Sequence, residues 1–319
     1  MNQFLEYVAK AESICILGHT HPDGDCIGAG LALYNYLSDM RPRLRLEIFL
    51  DQAVTKFAYL KNFEKIRTDY AQEEPFDLCV CLDGADKGRM TKFHPYFDQA
   101  KATVCVDHHV TNEGYAQLNI IRPDAASTCQ ILFGLLEEEN ITKEIAECLY
   151  TGIVHDTGVF KYSNTTAETM NVAGRLMEKG IDFTSIIDDS YYRKTYIQNQ
   201  ILGRALLESI LFLKKQCIFT VIRKKDMDFY EANSQDLDGI VDQLRNTAGV
   251  ECAIFMYETG AHEFKVSLRS NKVVDVSKIA AYYGGGGHVR AAGCSIAGSI
   301  YDVVNNLAKE IEKQMGEKH

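Results

Sequence analysis

Short apolar runs alternate with helical patterns through the first two thirds of the chain. Residues 13–18 (SICILG), 44–50 (LRLEIFL), 76–83 (FDLCVCLD) and 103–109 (TVCVDHH) are brief and hydrophobic, as strands buried on both faces are. Between them, residues 27–37 (IGAGLALYNYL) and 127–139 (STCQILFGLLEEE) carry helical spacing, with Ser127 or Thr128 as a cap for the second. The rhythm is βαβ, which predicts an α/β fold: an open, mostly parallel sheet with helices on both faces. The pattern changes near Tyr191. Residues 191–214 are polar, with Leu202, Leu206, Leu207 and Ile210 at helical spacing, and predict a connecting helix. New strand patterns follow at 216–222, 251–258 and 263–270, then a glycine run and a helical stretch at 301–315. The expected division is a first domain over 1–190, a helical linker over 191–215 and a smaller α/β domain over 216–319.

The length of 319 residues suits two domains. Hydrophobic residues at 46% and charged residues at 24% supply ordinary cores. Lys and Arg number 34 against 44 Asp and Glu, a net charge of −10. That balance argues against a binder of long nucleic acid by phosphate neutralisation, which needs a basic face. A short anionic substrate held by a few local cations stays open. No stretch approaches the roughly 20 apolar residues of a membrane span. The start, MNQFLEYVAK, carries Glu6 and Lys10 and lacks a signal-peptide core. The ten cysteines include no CxxC, and most sit in apolar runs. They read as reduced, core-packed thiols of a cytoplasmic protein.

Four apolar runs end in the same chemical vocabulary. The first closes on Gly18-His19-Thr20-His21-Pro22-Asp23-Gly24-Asp25 and the second on Asp83. The third closes on Asp107-His108-His109, and the segment LYTGIV on His155-Asp156-Thr157-Gly158. Ligands in open parallel sheets collect at the carboxyl ends of strands, so these four strand tips are expected to converge. Carboxylates gathered in one crevice repel, and burying them unpaired is costly. One or two divalent cations relieve this. Two imidazoles with four carboxylates and no Cys ligand suit Mn²⁺ or Mg²⁺ better than structural zinc. Two cations about 3.5–4 Å apart would activate a bridging water and clamp an in-line phosphoryl displacement, so phosphate-ester hydrolysis is the expected reaction class. The Asp and Gly residues also make turns, Asp83 could cap a helix, and His108-His109 could be a satisfied core pair. Those plainer readings would have to hold at all four places together. A second signal is the run Gly284-Gly285-Gly286-Gly287-His288-Val289-Arg290. Successive glycines let backbone N–H groups form an anion nest, to which His288, Arg290 and Arg269 would add donors. The run lacks the polar filler of a flexible linker.

These residues together resemble the DHH phosphoesterase superfamily. GHTHPDGD, CLDGAD, VDHH and GIVHDTGVF are similar to its four motifs, and SLRSNKVVDVSKIAAYYGGGGHVRAAG to its DHH-associated C-terminal domain. The resemblance spans essentially the whole chain, and within the superfamily it is greatest to the NrnA-type nanoRNases. It implies a Rossmann-like catalytic domain, a linker, a smaller substrate domain and substrate held between the two. It implies two Mn²⁺ per active site, with Mg²⁺ or Co²⁺ as substitutes. His19, Asp23 and Asp83 would hold one ion, and Asp25, Asp83, His108 and Asp156 the other, with Asp83 bridging. His109 would contact the scissile phosphate, and Asp107 would orient the neighbouring histidine. The catalytic set is therefore Asp83, Asp107, His108 and His109. Arg269, Gly285, Gly286, Gly287 and His288 would hold the distal phosphate or terminal nucleotide. The implied substrates are short oligoribonucleotides and 3′-phosphoadenosine 5′-phosphate (pAp); a homodimer is implied, and no membrane partner. Alternatives are a phosphodiesterase for cyclic di-AMP or its linear dinucleotide, an inorganic pyrophosphatase, and a non-catalytic nucleotide-binding regulator. One departure stands out: where the family often has Ser-Thr followed two residues on by Glu, this chain has Gln130.

Overall fold

The computed structural model describes residues 2–71 and 74–316, in two compact units over 1–193 and 194–319. The first unit is built on one sheet of β1 (Ser13–Leu17), β2 (Arg45–Phe49), β3 (Ile66–Arg67), β4 (Leu78–Leu82), β5 (Ala102–Asp107) and β6 (Leu118–Ile121). The strands lie in the order β3-β2-β1-β4-β5-β6, and every pairing is parallel. The helices are α1 (Gln3–Lys10), α2 (Gly24–Met40), α3 (His94–Gln99), α4 (Thr128–Leu135), α5 (Lys143–Asp156), α6 (Ala167–Met177) and α7 (Phe183–Ile187).

The continuous apolar runs of β1 and β4 are explained by burial on both faces. Successive side chains alternate between the faces of a sheet. Ile14, Ile16, Val80 and Leu82 join the core shared with Ile27, Leu31, Leu149 and Ile153 of α2 and α5. Cys15, Leu17, Cys79 and Cys81 enter a second core with Phe49, Phe93 and Tyr96. All ten cysteines are free and buried, as the apolar setting predicts. The strand order reverses between β1 and β4, which opens a crevice at their carboxyl ends.

Three local expectations are corrected. The first-unit helix begins at Gly24 rather than 27, because Asp23 caps it by accepting from the Asp25 and Cys26 amides. The helix expected over 127–139 ends at Leu135; Ser127, not Thr128, is its cap. The segment ending in Asp156 is helix α5, capped by Thr142, and not a strand. Its buried Ile145, Leu149 and Ile153 recur every four residues, a helical period.

The second unit holds α8 (Tyr196–Leu207), β7 (Ile210–Phe212), β8 (Cys217–Ile222), α9 (Lys224–Tyr230), α10 (Ile240–Arg245), β9 (Cys252–Gly260), β10 (Glu263–Ser270), α11 (Val276–Tyr282), β11 (Gly286–His288), β12 (Ala291–Ala297) and α12 (Ile300–Gly316). Its sheet runs β11-β12-β10-β9-β8-β7, with only β8–β9 parallel. The expected helical stripe is off by one residue. Ile201 and Ala205 are the buried positions of α8, whereas Leu206 is 40% and Leu207 87% exposed. Ile210 belongs to an edge strand. Among the described residues no helix is long and apolar enough to cross a membrane.

At the opposite end of the first sheet, Asp77 ties three strands together. Its Oδ2 accepts the Glu12 and Ser13 amides at 2.9 and 3.0 Å, and its Oδ1 accepts the Lys101 ammonium at 2.7 Å. The Lys101 hydrogen bond, helped by the Glu12 amide, lowers this carboxyl to about 2. A carboxyl depressed on folding stabilises the fold above its ordinary pKa, and loses that contribution as pH falls through the depressed value. We therefore predict that Asp77→Asn costs about 1–3 kcal/mol near neutral pH, and that the gap to the parent closes as pH approaches about 2. Urea unfolding across pH checks this; a gap that stays constant with pH would contradict it.

Candidate active site

The carboxyl ends of β1, β4 and β5 present His19, Asp83 and Asp107-His108-His109. Helix termini supply the rest: Asp23 and Asp25 at the start of α2, and Asp156 as the last residue of α5. The four expected strand tips are thus three strands and one helix end.

Asp83 is the centre. It is 2% exposed and has a positive φ of 57°. Its Oδ2 lies 3.3 Å from His19 Nε2. Its Oδ1 lies 3.5 Å from His108 Nε2 and 3.7 Å from His109 Nδ1, and accepts the Thr128 hydroxyl at 3.2 Å. Each imidazole is oriented by a further partner. His19 Nδ1 sits 2.7 Å from the Thr20 carbonyl, which fixes the proton there and turns Nε2 toward Asp83. His108 Nε2 is 3.0 Å from Asp156 Oδ2. Asp107 bonds His109 Nδ1 at 2.8 Å rather than the adjacent His108, and its other oxygen accepts the Asn112 amide at 2.7 Å. His155, beside Asp156 in sequence, turns away to Ser190 Oγ at 3.1 Å and packs edge-on to Phe57.

Asp25 is fully buried. Its two oxygens accept the Thr128 and Cys129 amides, at 2.6 and 2.9 Å, at the start of α4. Burial, reinforced by the Asp83 charge, nevertheless pushes its carboxyl up to about 7. Burial and Asp25 raise Asp156 well above the ordinary range. At Asp83, burial opposes ionisation, but hydrogen bonds from His108 and His19 overcome it and hold the carboxyl far below normal. Burial also opposes the charge on His108, whose pKa is pushed up to about 12 by Asp156 and Asp83.

The donor atoms of Asp25, His108 and Asp156 lie within 4.8 Å of one another, as do those of Asp83, His108 and His109, and those of His19, Cys26 and Asp83. Clustered carboxylates and imidazoles of this kind fit a divalent cation. The third group corrects the expectation that no cysteine reaches the site.

Comparison with known proteins gives the family. Residues 13–153 match the model of the DHH family, N-terminal domain, and residues 215–317 that of the DHHA1 domain. The bifunctional oligoribonuclease and PAP phosphatase NrnA of Thermus thermophilus is 30% identical over 293 residues, covering 91% of this chain and 86% of that protein. The chain belongs to the DHH family. The DHH fold is equally clear in solved structures. An exopolyphosphatase-related protein from Bacteroides fragilis superposes with a TM-score of 0.89 at 26% identity, covering 97% of this chain and 94% of that one. RecJ from Thermus thermophilus, crystallised with Mn²⁺, shares the fold at a TM-score of 0.52 and 11% identity, covering 99% of this chain and 54% of its own.

Within Asp107-His108-His109, His108 turns to Asp83 and Asp156, while His109 is bonded to Asp107. In the second unit, the glycine run forms edge strand β11, paired with β12, and Gly287 has a φ of 145°. Gly285 precedes this strand, Gly286 opens it and His288 closes it, exposed. Arg269 donates from Nε to Asp242 at 3.2 Å. Arg290, expected as an anion donor, instead spends its guanidinium on the Val274 and Lys272 carbonyls, at 2.9 and 2.5 Å. Gln130 accepts the Ala126 amide and the Thr169 hydroxyl, so the departure from Glu leaves a buried structural amide.

Sequence reasoning missed Thr128, Cys26 and Asn112. Thr128 was legible only as a cap, yet its amide holds Asp25 and its hydroxyl Asp83. Gly152 also supports Asp25, by having no side chain: a Cβ there would lie 2.3 Å from Cys129 Sγ and 2.6 Å from Asp25 Oδ1. We predict that Gly152→Ala destabilises the fold by about 1–3 kcal/mol through overpacking and weakens Mn²⁺ binding about tenfold or more by displacing Asp25. Denaturation and Mn²⁺ titration of the variant check this; parent-like affinity would show that Asp25 does not depend on Gly152.

Proposed function

We propose that this DHH phosphoesterase hydrolyses short oligoribonucleotides and pAp at a two-cation centre organised by Asp83. The carrying observation is the convergence of three imidazoles and a hydroxyl on that one buried carboxylate. The activity named for the Thermus relative supports the substrate class, and the net charge of −10 suits a short anionic substrate better than a long one.

His19, Asp23 and Asp83 hold one cation in this reading, and Asp25, Asp83, His108 and Asp156 the other. The two Asp83 oxygens face different imidazoles, Oδ2 toward His19 and Oδ1 toward His108, so this residue could contribute to both. Two Mn²⁺, or Mg²⁺ or Co²⁺ in their place, would supply Lewis acidity and an activated water. The protein residues do the positioning. Asp107, itself held by Asn112, bonds His109 Nδ1 and raises its pKa, so that the protonated ring would still have its Nε2–H to donate to an oxygen of the scissile phosphate. Thr128 keeps Asp25 and Asp83 in register. His288, with Gly285, Gly286 and Gly287, is proposed to receive a second phosphate or the terminal nucleotide. Arg269 joins them only if that phosphate displaces Asp242 from its guanidinium.

Asp83→Ala is expected to lose roughly a thousandfold or more in turnover, because both cations lose a ligand at once. Ordinary turnover with unchanged metal content would reject the assignment. His288→Ala should raise the Michaelis constant for pAp about tenfold with kcat little changed, the effect of one lost charge-assisted contact. An unchanged Michaelis constant would remove His288 from the substrate site. Mn²⁺-loaded protein assayed against pAp, di- to pentaribonucleotides, a 20-mer RNA and pyrophosphate tests the substrate class. Cleavage of pyrophosphate or the 20-mer in preference to the short substrates would overturn it.

A further inference from the structure

We propose that Cys26 is a thiolate ligand of the cation held by His19, Asp23 and Asp83, making that half of the centre softer than the half held by Asp25, His108 and Asp156. The proposal deepens the two-cation reading and rests on it.

Cys26 lies in the first turn of α2, directly after Asp25, and its amide donates to Asp23 Oδ1 at 3.1 Å. Its side chain turns to the end of β1, where Gly18 makes room: a Cβ at residue 18 would lie 2.3 Å from the sulfur. That places Sγ in one group with donor atoms of His19 and Asp83, none more than 4.8 Å from another. Ligands at about 2.3 Å for sulfur and about 2.0–2.2 Å for nitrogen and oxygen reach one ion from such positions with small movements. Among the described residues, no other cysteine belongs to a group of this kind. Cys129, although beside Asp25, directs its sulfur at the backbone carbonyls of Asp25 and Cys148.

The consequence is an unequal pair. One position offers sulfur, imidazole and carboxylate; the other offers imidazole and carboxylate alone. A thiolate favours Zn²⁺, Co²⁺ and other borderline ions over Mg²⁺. Binding forms one sulfur–metal bond and releases the thiol proton to solvent, with no change of oxidation state.

Co²⁺ is the probe, because thiolate ligation gives a near-ultraviolet charge-transfer band that nitrogen and oxygen ligands do not. Metal-free parent protein titrated with Co²⁺ should develop that band. Cys26→Ala and Cys26→Ser should lose it while keeping the visible ligand-field bands, and should release one proton fewer per site filled. Their affinity for Co²⁺ should fall about tenfold or more, the loss expected even for a supporting partner, with Mg²⁺ affinity changing far less. Two variants of different polarity, each checked by circular dichroism, separate ligand loss from misfolding. Parent protein that binds Co²⁺ and cleaves pAp without the band overturns the thiolate ligand alone, as does a band that survives in Cys26→Ala. Parent protein that takes up no Co²⁺, Mn²⁺ or Mg²⁺ overturns the two-cation reading with it.

Discussion

Everything at the carboxyl end of the first sheet depends on keeping Asp83 ionised in the dry interior. A buried carboxylate is tolerated only where hydrogen bonds or opposite charges replace its water. Here the replacement comes from His19, His108, His109 and Thr128, drawn from β1, from the end of β5 and from α4. The strand order makes this feasible. Reversal between β1 and β4 leaves a crevice that no crossover connection covers, so residues distant in sequence meet above β4. The positive φ of Asp83 turns its side chain out of the sheet's alternation, a conformation an aspartate adopts at modest cost.

The helices serve the same end. The start of α4 presents two amides to Asp25, satisfying helix-terminal donors and a buried carboxyl with the same bonds. Gly152 lets α5 pack closely against Cys129 and Asp25, and the end of the same helix brings Asp156 to His108. Immediately past Asp156 the chain leaves the helix through Gly158, Val159 and Phe160, all at positive φ. Two of these are bulky residues for which that conformation is uncommon. Non-glycine residues with positive φ also occur at His21 and Asp83, beside the candidate site, as well as at positions elsewhere in the chain such as Leu213, Lys214 and Lys215.

Much of this was legible in the sequence, because strands buried on both faces announce themselves as unbroken apolar runs. The ends of those runs, at His19, Asp83 and His108, are the candidate residues that the structure brings together. Asp156 was found by its chemistry but assigned to the wrong element: LYTGIV is as apolar as a strand, and only the wider spacing of Ile145, Leu149 and Ile153 marks a helix. Thr128 escaped because a threonine after a serine reads as a cap, and the carboxylates it holds lie 103 and 45 residues away. Arg290 was over-read for the converse reason: a guanidinium beside glycines suggests an anion, while the carbonyls it bonds belong to a loop whose path the sequence does not reveal. Local pattern identifies elements and their ends; long-range hydrogen bonding decides which polar side chains remain for a ligand.

The arrangement has an energetic corollary. Asp25, Asp83 and Asp156 crowd one another, and burial with mutual repulsion raises two of the three carboxyls. Protons on the imidazoles and carboxyls relieve the crowding without cations, and cations relieve it by displacing those protons. Cations bound to the folded form alone, in the proposed way, would add stability in proportion to the logarithm of ion concentration, about 2.7 kcal/mol at a hundredfold excess over Kd. The repulsion among these carboxyls would thus become a source of affinity in the proposed centre, while the clamp at Asp77 ties the same strands together at their far end.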